Sequence, residues 1–473
     1  MINLVQSNLK IEQSLIAFLC IGFLISALLP PVGIIFSIFV AIILVVISLF
    51  NVTFLLPILL IILLISSGYD PHIIRIRDLS NIINPFHMGF FAFIKPALLV
   101  GLIVTAKVSL EITFDFFRTR MISLINALYI LLVVISIVTS IMGWQLDNER
   151  KFQTLFFLFN ISICLWFYRL VLHLSDLEIQ KIVFIMRNLL IFSLVGYAIN
   201  FMPFIGPGNL IGSLGFNTQL SYLSMAMVFP LVFFIVKYSH DRIKFFTVAL
   251  FFMLSWIMLN QFYSITIYVI FFSSFLYYFL SINTFKGRFL YFKFIFFIVF
   301  ISQSLIFLTP FLDFNILRNS NYIAVEDVVG YLNRIWFKFS LDRLPLWLGA
   351  LDSIKESIWI KPAGSTYVPY NFGTFALVDR QIQWSAGAHQ MQLELMVNYG
   401  LVGAVLYWSI WISFMRRLFL AVNSTMAITR FLSVGLLAYF ILPSYVANLM
   451  IQEHSVLPWL LLGLTMALYQ KFK

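Results

Sequence analysis

The sequence predicts an all-α, polytopic integral membrane protein with about fourteen transmembrane helices and one large, partly helical periplasmic loop. Composition is the first observation behind this prediction. Of 473 residues, 62% are hydrophobic and 10% are charged, whereas soluble domains are about half apolar and a quarter charged. The second observation is that apolar runs of about 20 residues, enough to cross a bilayer, recur along most of the chain. Backbone polar groups must bond internally in lipid, so each run is predicted to be a helix.

The predicted spans fall into two groups separated by one long connection. Their approximate limits are 12–30, 33–50, 53–67, 88–107, 120–143, 153–173, 182–204, 218–237, 245–262, 264–282, 294–312, 394–415, 428–447 and 455–471. Residues 1–312 are therefore predicted to hold helices 1–11, residues 313–393 the large loop, and residues 394–473 helices 12–14.

Lysine and arginine are concentrated in the short loops on one side of the predicted bundle. That side holds Arg118, Arg120, Lys181, Lys237, Arg242, Lys244, Lys286, Arg288, Lys293, Arg416, Arg417, Arg430, Lys471 and Lys473, against Arg75, Arg77, Arg150 and Lys151 in the short loops of the other side. By the positive-inside rule the basic side is cytoplasmic, and an even number of spans places both termini there. This bias and the attraction of anionic lipids explain the net charge of +11, so nucleic acid is not an expected partner.

The connection over residues 313–393 is about 80 residues long, and loops of that length are usually functional or disordered. Apolar residues recur at helical spacing from Leu344 to Ile358, with Asp352, Lys355 and Glu356 on the opposite face. This pattern predicts an amphipathic helix that either lies along the membrane surface or caps the bundle.

The sequence contains no P-loop, no dinucleotide fingerprint, no His-Glu-x-x-His and no cysteine pair with metal spacing, so no metal and no cofactor are expected. The large loop offers cations instead: Arg318, Arg334, Lys338, Arg343, Lys355, Lys361, Arg380 and, directly before the next span, His389. Guanidinium groups bind phosphate oxygens bidentately, and histidine is easily poised as a base near neutral pH. Such a site suits a reaction that expels a diphosphate while the histidine takes a proton from the attacking hydroxyl. The alternatives are cations bound to solvent or lipid headgroups, and a histidine that makes a structural hydrogen bond.

Lys95 and Arg169 are among the cations that lie inside predicted spans, where an unpaired charge is costly. Lys95, beside Pro96, and Arg169 are each explained either by function or by a side chain that extends to the membrane surface. Gly400 and Gly403 are most simply explained by close helix packing.

The stretch Ser-Ala-Gly-Ala-His-Gln-Met-Gln-Leu-Glu-Leu-Met-Val-Asn-Tyr-Gly-Leu-Val-Gly, residues 385–403, resembles the O-antigen polymerase and ligase family. The family pattern is a histidine usually followed by asparagine, then Leu-Glu, then Gly-Leu-x-Gly at the opening of a span. The matching residues are His389, Leu393, Glu394, Gly400, Leu401 and Gly403, whereas Gln390 stands where asparagine is usual.

Three shorter stretches carry the same resemblance. Residues 342–351 are similar to the family's Arg, Trp and Ala-Leu pattern, residues 361–364 stand where relatives have a Pro-x-x-Gly turn, and residues 215–218 resemble a small motif that contains Asn217. One departure is the Ser-Arg that relatives often have near the spans at 245–282, because this chain has Leu-Asn-Gln-Phe-Tyr-Ser at 259–264.

The resemblance implies glycosyl transfer at the periplasmic face of the bacterial inner membrane, from an undecaprenyl-diphosphate-linked oligosaccharide. The acceptor is another lipid-linked repeat unit in a polymerase, or lipid A-core in a ligase. By matching position, Arg343 is the implied diphosphate binder and His389 the implied base. Further expected partners are membrane lipids and a chain-length regulator protein.

Other residues complete the expected site, and other functions compete with the transferase. Charge and location add Arg334 and Arg380, and the remaining substrate-binding candidates are Glu394, Asn217 and Lys95.

A flippase for the same lipid-linked glycan is the alternative from another class, but a flippase needs charges along its path through the membrane, and here they are concentrated in one loop. An enzyme that O-glycosylates proteins is a third possibility.

Overall fold

The structure is a computed structural model that describes residues 14, 21, 30–51, 56–66, 96–120, 122–145, 148–199, 226–227, 344–365, 390–441 and 456–473. Helices account for most of these residues. They are α1 (Pro30–Phe50), α2 (Leu56–Ser66), α3 (Pro96–Thr119), α4 (Leu124–Met142), α5 (Asn148–His173), α6 (Asp176–Ile199), α7 (Leu344–Glu356), α8 (Met391–Ala421), α9 (Ala427–Phe440) and α10 (Val456–Lys471).

Four of the described helices are long and apolar enough to cross a membrane. They comprise Pro96–Thr119, Leu124–Met142, Leu155–His173 and Met391–Ala421. Ile34–Phe50 and Ala427–Phe440 are shorter apolar helices. The prediction of an all-helical, multi-pass membrane protein is therefore confirmed for the part of the chain that the structure describes.

Helix α5 lies at the centre of the described bundle and α4 at its edge. In the most apolar window of each helix, 78% of α5 is buried against 22% of α4. The exposed residues of α4 include Leu131, Ile137 and Ile141, which present hydrocarbon outward, as a helix that faces lipid does. Helix α10 packs most extensively on α5. A Cβ on Gly463 of α10 would lie 2.5 Å from the carbonyl oxygen of Cys164, so only glycine allows this close approach.

Polar side chains inside the bundle bond to one another across helices. The Thr105 hydroxyl of α3 donates to Ser162 Oγ of α5 over 2.8 Å, and the Tyr129 hydroxyl of α4 lies 2.9 Å from the same oxygen. All three residues are buried. Because an unpaired polar group is costly in an apolar interior, this trio stabilises the packing of three helices where hydrophobic burial alone would not fix their register.

The C-terminal ends of α1, α5, α8 and α10 meet at one end of the bundle, beside the middle of α3. Lys107 of α3 donates to the carbonyl oxygens of Ser48 and Leu49, over 3.1 and 2.6 Å, and thereby binds the last turn of α1. Arg417 of α8 lies over the ring of Tyr168 in α5, at 5.8 Å from its centroid. We call this the basic end, because Arg416, Arg417, Lys471 and Lys473 lie on the terminal turns there or directly beyond.

The helices differ from the predicted spans mainly at their ends. The span predicted over 88–107 continues as a helix to Thr119, past Lys107 and Glu111. The predicted span ends at Lys107 because a hydropathy scale treats Lys107 and Glu111 as exposed charges. In the structure each of them has a partner on a neighbouring helix. The predicted spans over 218–312 lie outside the described residues, apart from positions 226–227.

Candidate functional site

Helix α8 is broken at Gly400. This residue has φ 74° and ψ −176°, so α8 consists of a first segment, residues 391–399, and a second segment, residues 401–421. Only glycine adopts this conformation without strain. The predicted span over 394–415 is thus not one continuous helix, because hydropathy detects apolar length but not a local reversal of φ.

The chain directly after α7 occupies the break. The backbone N–H of Leu401 donates to the carbonyl of Ile358 over 2.8 Å, and that of Val402 donates to the carbonyl of Trp359 over 3.1 Å. These two donors would otherwise be unpaired at the start of a helix. A Cβ on Gly400 would lie 2.5 Å from the Trp359 carbonyl oxygen, so this glycine is needed for space as well as for its φ angle.

The same segment, residues 357–365, is also attached to the end of α4. The backbone N–H of Ala363 donates to the Thr139 carbonyl over 2.8 Å, and Ala363 is fully buried. The chain then turns at Gly364, whose φ is 85°, and the N–H of Ser365 donates to the carbonyl of Pro362. The Pro-Ala-Gly sequence noted above is therefore a tight turn that closes the segment over the bundle.

Lys361 fixes the end of α7. Its Nζ donates to the Ser353 carbonyl in the last turn of α7, and lies 3.3 Å from Ser353 Oγ. A cation at this position neutralises the negative end of the helix dipole. The residue is 5% exposed, and this burial lowers the pKa of Lys361 below its ordinary value, an effect that Glu356 partly offsets.

Helix α7 packs beside the first segment of α8. Its residues Leu346, Trp347 and Ile354 form one buried cluster with Leu393 and Val397. The amphipathic helix predicted here is thus present, and its apolar face is buried against α8.

The two helices end close together. The C-terminal end of α7 leads directly to the break at Gly400, where the first segment of α8 also ends. Because residues along both helices also share one buried cluster, we infer that the two run in the same direction, with Leu344 and Gln390 toward the same end. We call this the helix pair; two helix N-termini pointing the same way favour an anion in front of them.

One face of the first segment of α8 is polar and buried. Gln390, Glu394 and Asn398 follow one another at intervals of four residues and are 0%, 9% and 7% exposed. The Asn398 amide donates to the Glu394 carbonyl over 2.7 Å, with Glu394 Oε1 at 3.5 Å. Gln390 caps the segment, because its Oε1 accepts from the Leu393 N–H over 3.3 Å, while its Nε2 has no hydrogen-bond partner among the residues that the structure describes.

Of the predicted site residues, Glu394 is the one that the structure describes. His389, Arg343, Arg334, Arg380, Asn217 and Lys95 lie outside the described residues. Arg343 directly precedes the first residue of α7, and His389 directly precedes Gln390. The sequence did not predict the break at Gly400, the cap that Gln390 provides, or the contact between Lys361 and Ser353. A glycine inside a predicted span and a lysine in the loop were present, but neither residue type alone indicates these roles.

Arg169 has a structural partner. Its Nη1 lies 3.0 Å from Glu111 Oε2 of α3, so the ion pair neutralises a charge near the basic end. The sequence left two explanations for Arg169, a function or a side chain that extends to the membrane surface. Neither of them included an ion pair with another helix. Arg169 therefore does not enter the candidate site.

Within the described ranges, no group of three or more His, Cys, Asp or Glu side chains could hold a metal ion. No protein-family model matches the chain, and neither a curated protein nor a solved structure does. Any structural conclusion about function therefore depends on the helix pair and on the buried polar face of α8.

Proposed function

We propose that this protein is a glycosyltransferase of the O-antigen polymerase and ligase type, in the bacterial inner membrane. It joins undecaprenyl-diphosphate-linked repeat units at the periplasmic face, without a metal ion. About fourteen helices cross the membrane, and both termini are cytoplasmic. The basic end then faces the cytoplasm, and the helix pair faces the periplasm at the opposite end.

The observation that carries the proposal is the alignment of α7 with the first segment of α8. Their N-termini lie at one end of the pair, and the next residue upstream of each described start is a predicted functional one: Arg343 before Leu344, and His389 before Gln390. A diphosphate in front of these N-termini is stabilised by both helix dipoles and by a guanidinium group. The proposal thus brings together two residues that are 46 positions apart in the sequence.

The proposed reaction is a single displacement. The hydroxyl of the acceptor sugar attacks the anomeric carbon of the donor, and the bond from that carbon to the diphosphate oxygen breaks. His389 takes the hydroxyl proton, and undecaprenyl diphosphate leaves with its charge neutralised by Arg343. One displacement inverts the anomeric configuration, so an NMR comparison of donor and product that showed retention would exclude this mechanism.

The buried polar face supports a glycan in the same place. Carboxylate and amide side chains offer the acceptors and donors that sugar hydroxyls need. Gln390 keeps a buried amide donor without a hydrogen-bond partner, and such a group costs about 1–3 kcal/mol unless a ligand binds it. Glu394 and Asn398, on the same face, extend this surface toward the Gly400 break. The lipid tail of the donor then remains in the bilayer while its sugars lie over the helix pair.

Reconstituted proteoliposomes test the class of function. We expect purified protein to convert lipid-linked repeat units into longer chains and to release undecaprenyl diphosphate, with no other glycan acceptor present. Product formation only after lipid A-core is added would identify a ligase instead of a polymerase. Movement of intact lipid-linked glycan between leaflets, without a new glycosidic bond, would identify a flippase and overturn the proposal.

A further inference from the structure

A cavity lies at the basic end, on the opposite side of the bundle from the helix pair. It measures about 420 Å³, is partly open, and is bounded by residues 176–190 of α6, the start of α9, residues 461–472 in and after α10, and Met227. Its lining is almost entirely apolar and includes Val183, Leu432, Leu461 and Phe472. A volume of this size falls in the range of ligand sites, which is about 300–1,000 Å³.

Two charged residues border the cavity, and within the described part of the chain one of them, Asp176, has a counter-ion. The carboxylate of Asp176 lies 3.2 Å from Lys471 Nζ, so its charge is already balanced. Arg187 stacks over the Phe184 ring at 4.7 Å and donates to Asn188 Oδ1, and both neighbours are uncharged. Among the described residues no carboxylate pairs with this guanidinium. The cavity therefore combines an apolar interior with an unbalanced positive charge at its edge.

We propose that this cavity binds one hydrocarbon chain of an anionic phospholipid, with Arg187 bound to the lipid phosphate. The occupant follows from the two properties just given: the interior accepts hydrocarbon, and the edge requires an anion. The location agrees, because the cavity extends into the bundle from the end where cations are concentrated, and the Arg187 side chain reaches back over Phe184 toward that end, where anionic headgroups are attracted. An alkyl chain also restores the dispersion contacts that an empty cavity lacks. This site does not depend on the proposed glycosyl transfer.

Photo-crosslinking in nanodiscs tests the proposal with the full chain. The probes are phosphatidylglycerol and phosphatidylcholine that carry a diazirine on one acyl chain, each diluted into the same phosphatidylcholine bilayer. We expect the phosphatidylglycerol probe to label cavity residues of α6, α9 and α10 roughly tenfold more than the phosphatidylcholine probe, because both lipids carry the phosphate but the choline cation of phosphatidylcholine neutralises it and repels Arg187. Equal labelling by the two probes would overturn the proposal.

Two variants and one control separate the cavity from the general lipid surface. Val183→Trp fills the cavity and should remove most of the labelling there. Arg187→Gln, at an exposed position, should preserve the fold and make the two probes label equally. Val134→Trp places the same bulk on α4 at a position that is 48% exposed, and should leave the labelling unchanged. Retention of the preference for phosphatidylglycerol in Arg187→Gln, or unchanged labelling in a folded Val183→Trp protein, would contradict the assignment.

Discussion

The backbone N–H of Leu401 donates to the carbonyl of Ile358 over 2.8 Å, and this bond joins the large loop to a transmembrane helix at the point where the helix breaks. A helix that begins inside an apolar bundle leaves N–H groups unpaired, and here the loop supplies their acceptors. The break and the loop are therefore one structural unit, and neither is expected to keep its geometry without the other.

The first prediction concerns Gly400→Ala. Alanine at φ 74° is strained, and its Cβ would lie 2.5 Å from a backbone oxygen that cannot move independently. We expect a loss of roughly 1–3 kcal/mol in unfolding free energy, measured as a lower denaturant midpoint in detergent. Gly435→Ala is the matched control, because φ is not positive there and the added methyl group meets mainly the flexible end of Met227, with the Ala226 carbonyl oxygen farther away at 3.2 Å. An equal loss in both variants would show that the backbone conformation at Gly400 is not the cause.

The second prediction concerns pH and Lys361. Burial lowers its pKa in the folded protein, so the unfolded chain binds the proton more tightly, and protonation opposes folding below the folded pKa. That penalty disappears as pH rises from the lowered pKa to the ordinary value of 10.5. The wild type should therefore gain stability relative to Lys361→Met across this alkaline interval. The readout is the unfolding midpoint as a function of pH, with Lys355→Met, at an exposed lysine of α7, as the matched substitution.

The third prediction concerns the ion pair between Glu111 and Arg169. Each single variant, Glu111→Gln or Arg169→Met, leaves one charge without its partner, whereas the double variant removes both. A double-mutant cycle should give a favourable coupling on the order of 1 kcal/mol. Additive losses would indicate that the 3.0 Å contact contributes nothing to stability.

The agreement between sequence and structure is close where the property is local and poor where it depends on a distant partner. Hydrophobic periodicity predicted α7 from Leu344 onward, because the apolar and polar residues of an amphipathic helix alternate with the helical period in its own sequence. It could not assign Arg169, whose partner Glu111 lies 58 residues earlier. The break at Gly400 was missed for the same reason, since its stability depends on carbonyls from Ile358 and Trp359.

The candidate site shows the same contrast between features that depend on local sequence and features that depend on distant residues. Motif resemblance selected Glu394, which is buried on the polar face of α8, but it gave no reason to select Asn398. The alignment of the helix pair depends on the loop that joins its two helices, and no local pattern encodes that. His389, Arg343, Arg334, Arg380, Asn217 and Lys95 remain predictions from the sequence.

The fourth prediction concerns Glu394→Gln. Glutamine preserves the size of the side chain and an oxygen that can accept from Asn398, so the fold should be retained. Loss of the negative charge weakens hydrogen bonds to sugar hydroxyls, and we expect glycan transfer to fall on the order of tenfold. Initial rates with lipid-linked repeat units measure this, and Glu356→Gln on the exposed face of α7 is the control. Wild-type rates in a folded Glu394→Gln protein would remove Glu394 from the site.

Release of undecaprenyl diphosphate from purified lipid-linked repeat units, with excess chelator present, is the most direct measurement of the proposed site. The wild type should turn over equally with and without chelator, while His389→Ala and Arg343→Ala should each be slower by about 100-fold or more, with Lys355→Ala unaffected. Wild-type rates in both variants, or turnover that requires added magnesium or manganese, would contradict a metal-free site at the N-termini of the helix pair.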